Sequence, residues 1–173
     1  MEVGFITHTS AAVGYLALAL LVIYWRSTAL SGLMLVLASV ATTLWGASVA
    51  FDLHHGDHVS VLSQILEIAR SCGWLMATLS ALHWISPVRR ATWGYLIIGF
   101  GVCVAILTFA PSYDSSLAPS GLTPLAIIVS HIALALAGLA LIENLFRNTP
   151  PDQYWKIKYL CFGAGGLFAY DFF

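Results

Sequence analysis

Charge is what this sequence has least of. Charged residues make up 9% of its 173 positions and hydrophobic residues 60%. A soluble domain carries about 25% charged residues, so too few charges are present to cover a water-facing surface. The apolar residues fall in long runs rather than in alternating or amphipathic patterns. That excludes an ordinary soluble domain and leaves an integral membrane protein. Positive charge is missing before the first apolar run, since "MEVGFITHTS" is acidic and Arg26 comes only after the run. A cleavable signal peptide opens with positive charge, so none is expected. Cysteine is scarce too. Cys72, Cys103 and Cys161 each lie inside an apolar run; no pair has metal-ligand spacing, and an odd count argues against a disulfide framework. They read as small buried apolar residues. No basic patch suggests nucleic acid, and no motif calls for a cofactor.

What is present is a series of greasy segments. A membrane crossing takes about 20 residues of helix. Five segments meet that length, at approximately 10–25, 31–51, 59–84, 91–110 and 124–146. The first can extend back to Val3. A sixth begins near Lys158 and reaches Phe173, slightly short of a crossing. The expected fold is an all-α, polytopic transmembrane helical bundle of five full spans plus a truncated sixth. It forms a single domain over 1–173 with no soluble part. Trp25, Trp84, Trp93, Tyr113, Tyr154 and Trp155 sit near proposed span ends, as an aromatic belt would.

The basic residues set the orientation. Arg26, Arg89, Arg90, Arg147, Lys156 and Lys158 all fall in alternate connections, so every Lys and Arg except Arg70 lies on one side. Glu2, Asp52, Asp57 and Asp114 lie on the other. The positive-inside rule places the N-terminus outside and the connection after the fifth segment in the cytoplasm.

The closing stretch "ENLFRNTPPDQYWKIKYLCFGAGGLFAYDFF", from Glu143 to Phe173, resembles the end of the N-terminal membrane region of the histidine kinase found with exosortase/PEP-CTERM systems. There an "ENL-R-N-PP" run leads through "W-IK-LC-G-G--FAYD" into a further helix. "LEIARSCGWL" at 66–75 matches a family segment with an acid, an arginine and a tryptophan in this order. The resemblance is close from Glu143 onward and loose elsewhere. It implies a multi-pass protein of the bacterial inner membrane, and the N-terminal part of a longer sensor kinase cut within a membrane helix. It also implies homodimerisation through downstream modules and a cognate response regulator as partner. Within these 173 residues there is no phosphoacceptor segment and no glycine-rich nucleotide motif, so catalysis would belong to the longer protein. Glu143 and Arg147 open the matching run and are candidates for a coupling loop.

Charged side chains inside hydrocarbon cost about 2.5–3.5 kcal/mol on insertion scales, so each needs a reason. At about 1.5 Å per residue, Glu67 falls about 12 Å below the outer end of its segment and Arg70 about 16 Å. By the same rise, His131 falls about 10 Å below the outer end of the fifth, and Asp171 reaches a similar level from the inner side. These four share one layer in the outer half, with Trp45 and Trp74 near it. Glu67 and Arg70 are three apart and share a helix face, which Gln64 and Ser71 extend. Two readings stand. One is mutual neutralisation that orders the helices. The other is a polar pocket, open outward, for a ligand or ion.

The connection "DLHHGDH" offers Asp52, His54, His55, Asp57 and His58 as weak metal-ligand candidates. Its spacing matches no standard zinc pattern, and a solvated loop is expected instead. His83 and His131 fall about 20 Å apart by the same rise, too far to share a haem. Ser130 and His131 are neighbours that point to different helix faces, which argues against an intramembrane hydrolase. The buried charges equally suit a transporter or channel-like protein, although inverted repeats are missing. A membrane scaffold is a third reading, with Ala135, Ala137 and Gly138 as contact residues.

Overall fold

The computed structural model describes residues 2–24, 30–55, 60–85 and 122–172. Five α-helices account for nearly all of them. They are α1 (Glu2–Tyr24), α2 (Leu30–His55), α3 (Val61–Ile85), α4 (Leu122–Asn148) and α5 (Tyr154–Phe172), with a 3-10 turn at Pro151–Gln153 before α5. Among the described residues there is no strand. Lipid offers no partner to a backbone N–H or C=O, so a chain this apolar closes its hydrogen bonds within each helix. α1 to α4 run 23 to 27 residues, about 34–40 Å at the helical rise, more than the hydrocarbon thickness. Each contains a window long and apolar enough to cross a membrane.

Three expected boundaries move. α1 begins at Glu2, one residue beyond the extension to Val3 that the first segment allowed, α4 begins at Leu122 rather than 124, and the last helix begins at Tyr154 rather than Lys158. α5 carries Lys156, Lys158 and Asp171 in 19 residues, and it is not among the four candidate spans. Among the described residues four of the expected full spans are therefore present as candidate spans. The predicted segment 91–110 lies outside them, as do Asp57 and His58.

The chain divides into two compact units, Met1–Ala77 and Thr78–Phe173, with the boundary inside α3. In the first unit α1 packs along α2, and small residues set the spacing. A Cβ on Gly46 would lie 3.0 Å from the His8 carbonyl oxygen and 3.3 Å from Ala12 Cβ. α3 approaches α2 as closely, since a Cβ on Gly73 would lie 3.2 Å from Ala38 Cα. Van der Waals contact between backbones holds helices together where lipid removes the hydrophobic drive. Leu16, Leu20, Leu21 and Ile23 of α1 point outward, as lipid-facing side chains do.

In the second unit α4 packs against α5. Leu82, Leu145 and Ile157 form a buried cluster, flanked by Ala81, Leu141, Leu160 and Cys161. The two prolines shape the corner between the helices. A residue before proline is pushed to extended backbone, and Pro150, ahead of Pro151, has ψ 147°. Thr149 Oγ1 donates to the Leu145 carbonyl at 2.6 Å, closing the end of α4. Gln153 N–H donates to the Pro150 carbonyl at 2.9 Å. Phe146 and Tyr154 stack across the corner with ring centres 5.2 Å apart.

Candidate functional site

Arg70 sits on α3 inside a membrane-length window and is 3% exposed. Its guanidinium carbon lies 4.1 Å from the centre of the Trp45 ring on α2. His8 on α1 meets the same indole edge-to-face, with centres 5.2 Å apart at 81°. Three helices thus converge on one aromatic ring. A desolvated cation–π contact is worth about 2 kcal/mol. That offsets a large part of the about 2.5–3.5 kcal/mol that insertion of an arginine costs. Gly46, beside Trp45, lets α1 come close enough for His8 to reach the ring.

One turn further along, Trp74 is buried and its Nε1–H donates to Thr42 Oγ1 at 2.9 Å. Thr42 Oγ1 in turn donates to the Ala38 carbonyl at 2.8 Å. The hydroxyl therefore accepts from one helix and donates within its own, and both of its roles are filled. Tyr15 of α1 packs edge-to-face on Trp74 at 5.8 Å. Trp74, expected near the polar layer, thus links α3 to α2 through Thr42 and to α1 through Tyr15. Glu67 and Gln64 are half-buried on α3. Ser71 Oγ donates to the Glu67 carbonyl at 3.0 Å, and Gln64 N–H donates to the Ser60 carbonyl at 3.2 Å.

The acid of "DLHHGDH" departs from the solvated loop expected there. Asp52 belongs to the last turn of α2 and is only 8% exposed. Its Oδ2 accepts from Ser60 N–H at 2.8 Å and from Ser63 Oγ at 2.6 Å. Ser60 Oγ accepts from Ser63 N–H at 3.2 Å, the N-cap contact of α3. Ser48 Oγ lies 3.0 Å from Ser63 Oγ. In a capping box the N-cap N–H is met by the third residue of the helix; here the preceding helix supplies the carboxylate. The anion also sits where the positive end of the α3 dipole favours it. His54 and His55 are exposed at the end of α2. His55 Nδ1 is 3.0 Å from the Phe51 carbonyl, which can only accept, so that nitrogen carries the proton. His54 leans on Phe5 at 5.6 Å. Among the described residues no three His, Cys, Asp or Glu come together as metal ligands.

In the second unit His131 on α4 and Asp171 on α5 are both half-buried. Glu143 and Arg147 form an exposed i,i+4 pair at 3.2 Å. With Ala140, Asn144 and Asn148 they line an open hollow of about 380 Å³ on α4. An exposed pair of this kind adds about 0.3–0.5 kcal/mol, so it serves geometry more than stability. Lys158 Nζ lies 3.5 Å from the Trp155 ring centre.

Of the expected polar layer, the structure brings Arg70 to Trp45 and adds His8, which sequence reasoning passed over. Glu67, Gln64 and Trp74 belong to the same unit, while His131 and Asp171 belong to the other. The signal for His8 was its place in "THTS", a polar run inside a segment long enough to span. The signal for Asp52 was "S-x-x-S" from Ser60 to Ser63, eight residues after an acid. Among the described residues four helices are long and apolar enough to cross a membrane, which is consistent with a helical membrane protein. No family model, curated protein or solved structure matches the chain.

Proposed function

We propose that the chain is the membrane-embedded signal-input domain of a two-component sensor histidine kinase of the bacterial inner membrane. Its N-terminus lies outside, and it passes a stimulus to cytoplasmic modules by helix rearrangement. The observation that carries the reading is the 143–173 stretch, whose pattern resembles the membrane region of the exosortase-associated kinase. In the fold, residues 143–172 form the end of α4, a proline corner and α5. That corner is held by Thr149, the Phe146–Tyr154 stack and the Leu82–Leu145–Ile157 cluster. A helix pair so tied moves as a piece, which suits transmission by helix shift. α3 carries Arg70 and, further along, Leu82, so a displacement of α3 would reach α4 and α5 through that cluster. Glu143 and Arg147 stand at the cytoplasmic mouth of the corner as the coupling pair.

The sequence downstream of codon 173 tests the proposal. A phosphoacceptor helix followed by an ATPase domain is the expected result, with autophosphorylation on histidine in membrane vesicles of the full-length protein. A stop codon, or further helices without kinase modules, would sink it in favour of a small-molecule or ion transporter, which the buried Arg70 also suits.

A further inference from the structure

We infer that the hollow at the end of α4 binds one phospholipid whose headgroup carries a primary amine, as phosphatidylethanolamine does. The ground is an acid and a base side by side at membrane depth, largely uncovered by protein. Glu143 and Arg147 stand in the last two turns of α4, inside its membrane-length window of Ile128–Asn148. Arg147 Nη1 donates to Glu143 Oε1 at 3.2 Å. The two side chains are 76% and 67% exposed. One nitrogen thus meets one oxygen. A guanidinium carries five donors and a carboxylate two accepting oxygens, so among the described residues most of this capacity is open to a ligand. Asn148 Nδ2 donates to the carbonyl and side-chain oxygens of Asn144, which leaves the amide N–H groups of Asn144 open as well.

Shape selects a lipid. The hollow of about 380 Å³ runs from Asn148 to Ala140, about 12 Å along the helix at its ordinary rise. The headgroup layer is about 5–7 Å deep on each face of a bilayer. The hollow therefore opens among headgroups and ends, at Ala140, against the first carbons of the acyl chains. Its volume lies near the low end of small-molecule sites, about 300–1,000 Å³, which suits a headgroup and not whole chains. Charge selects the headgroup. A purely anionic one would set its phosphate against Glu143 with no cation of its own to offset it. A choline headgroup has no N–H for the carboxylate. A primary amine satisfies both partners: the phosphate takes the open donors of Arg147, and the ammonium lies against Glu143. The carbonyl end of α4 favours that cation too. A site that hydrogen-bonds an N–H rejects the analogue lacking it. As the input that the coupling pair reads, this lipid rests on the function proposed above; the binding itself does not.

Native mass spectrometry of the 173-residue chain tests this, after equilibration with equimolar phosphatidylethanolamine, phosphatidylcholine and phosphatidylglycerol in mixed micelles. One phosphatidylethanolamine should stay bound, preferred about tenfold over either competitor. Glu143→Gln and Arg147→Gln should each abolish the preference. Ala140→Leu, at an exposed position, fills the deep end of the hollow and should release the lipid with the ion pair intact. Asp152→Asn, exposed and outside the hollow, should bind as the wild type does. Excess soluble glycerophosphoethanolamine, which has the headgroup without the chains, should fail to displace the lipid. Retention without preference overturns the inference, and so does a preference for phosphatidylglycerol. A preference that survives in both the Glu143 and Arg147 variants, or displacement by the soluble headgroup, overturns it equally. A downstream sequence without kinase modules would remove the sensory role and leave this measurement standing.

Discussion

Phe168 of α5 fills the space that a side chain at position 138 of α4 would need. The ring is fully buried, and a Cβ on Gly138 would come within 2.5 Å of three of its atoms. Gly138→Ala should therefore lower stability by about 1–3 kcal/mol through overpacking, read as thermal unfolding in nanodiscs. Phe168→Leu in the same chain should recover much of the loss, because the two residues share one space. An unchanged midpoint in Gly138→Ala would show that α4 and α5 do not meet there.

Arg70→Ala should harm folding or output more than neutralising any loop charge. Trp45→Leu, leaving Arg70 without its ring, should also destabilise. The double variant should fall short of the sum, with a coupling of about 0.5–2 kcal/mol. Thermal unfolding of the four proteins in nanodiscs completes the cycle; additive losses would show that the stacked pair contributes nothing of its own.

Asp52→Asn keeps the shape of the α2–α3 junction but removes the negative charge that Ser60 N–H and Ser63 Oγ address. Charge-assisted hydrogen bonds contribute about 1.5–3 kcal/mol. Hydrogen exchange should quicken at the amides of Ser60 and Ser63, while Trp74 and its surroundings hold. Ser60→Ala, which removes the N-cap acceptor, should cost about 1 kcal/mol. Exchange rates equal to the wild type in both variants would refute the capping role.

Orientation is open to direct labelling. In a chain whose native cysteines are serine, His55→Cys should react with an impermeant maleimide from outside the cell. Asp152→Cys, exposed in the corner before α5, should react only after the membrane is opened. The reverse pattern would overturn the topology, since the positive-inside rule alone assigns the two sides.

The helices were legible because lipid leaves a chain so little choice: an apolar run of membrane length must close its own hydrogen bonds. Their ends were less so. α1 reaches back to Glu2 because "THTS" stays helical despite its hydroxyls, and α5 starts at Tyr154 because the 3-10 turn runs straight into it. Arg70 stood out as a charge in hydrocarbon, and depth along the helix put Trp45 near it. Depth says nothing of rotation, so the stack over the ring was not foreseen. His8 escaped for a similar reason: its meaning depends on Gly46 bringing two helices together. Asp52 read as a loop acid because the S-x-x-S of Ser60 to Ser63 marks a helix cap without saying that an acid from the preceding helix joins it. The segment 91–110, with Asp57 and His58, lies outside the described residues, so those expectations stand as the sequence left them.

α2 touches α1 at Gly46 and α3 at Ala38, in both places at near-backbone distance. One added methyl at position 46 would wedge two helices apart. Extra bulk at Leu33 or Leu37, each about half exposed, would meet no such close backbone. Saturation mutagenesis of this helix should therefore trace two narrow lines of intolerance on an otherwise permissive rod. The middle helix, rather than either flank, would be where the spacing of its neighbours is written.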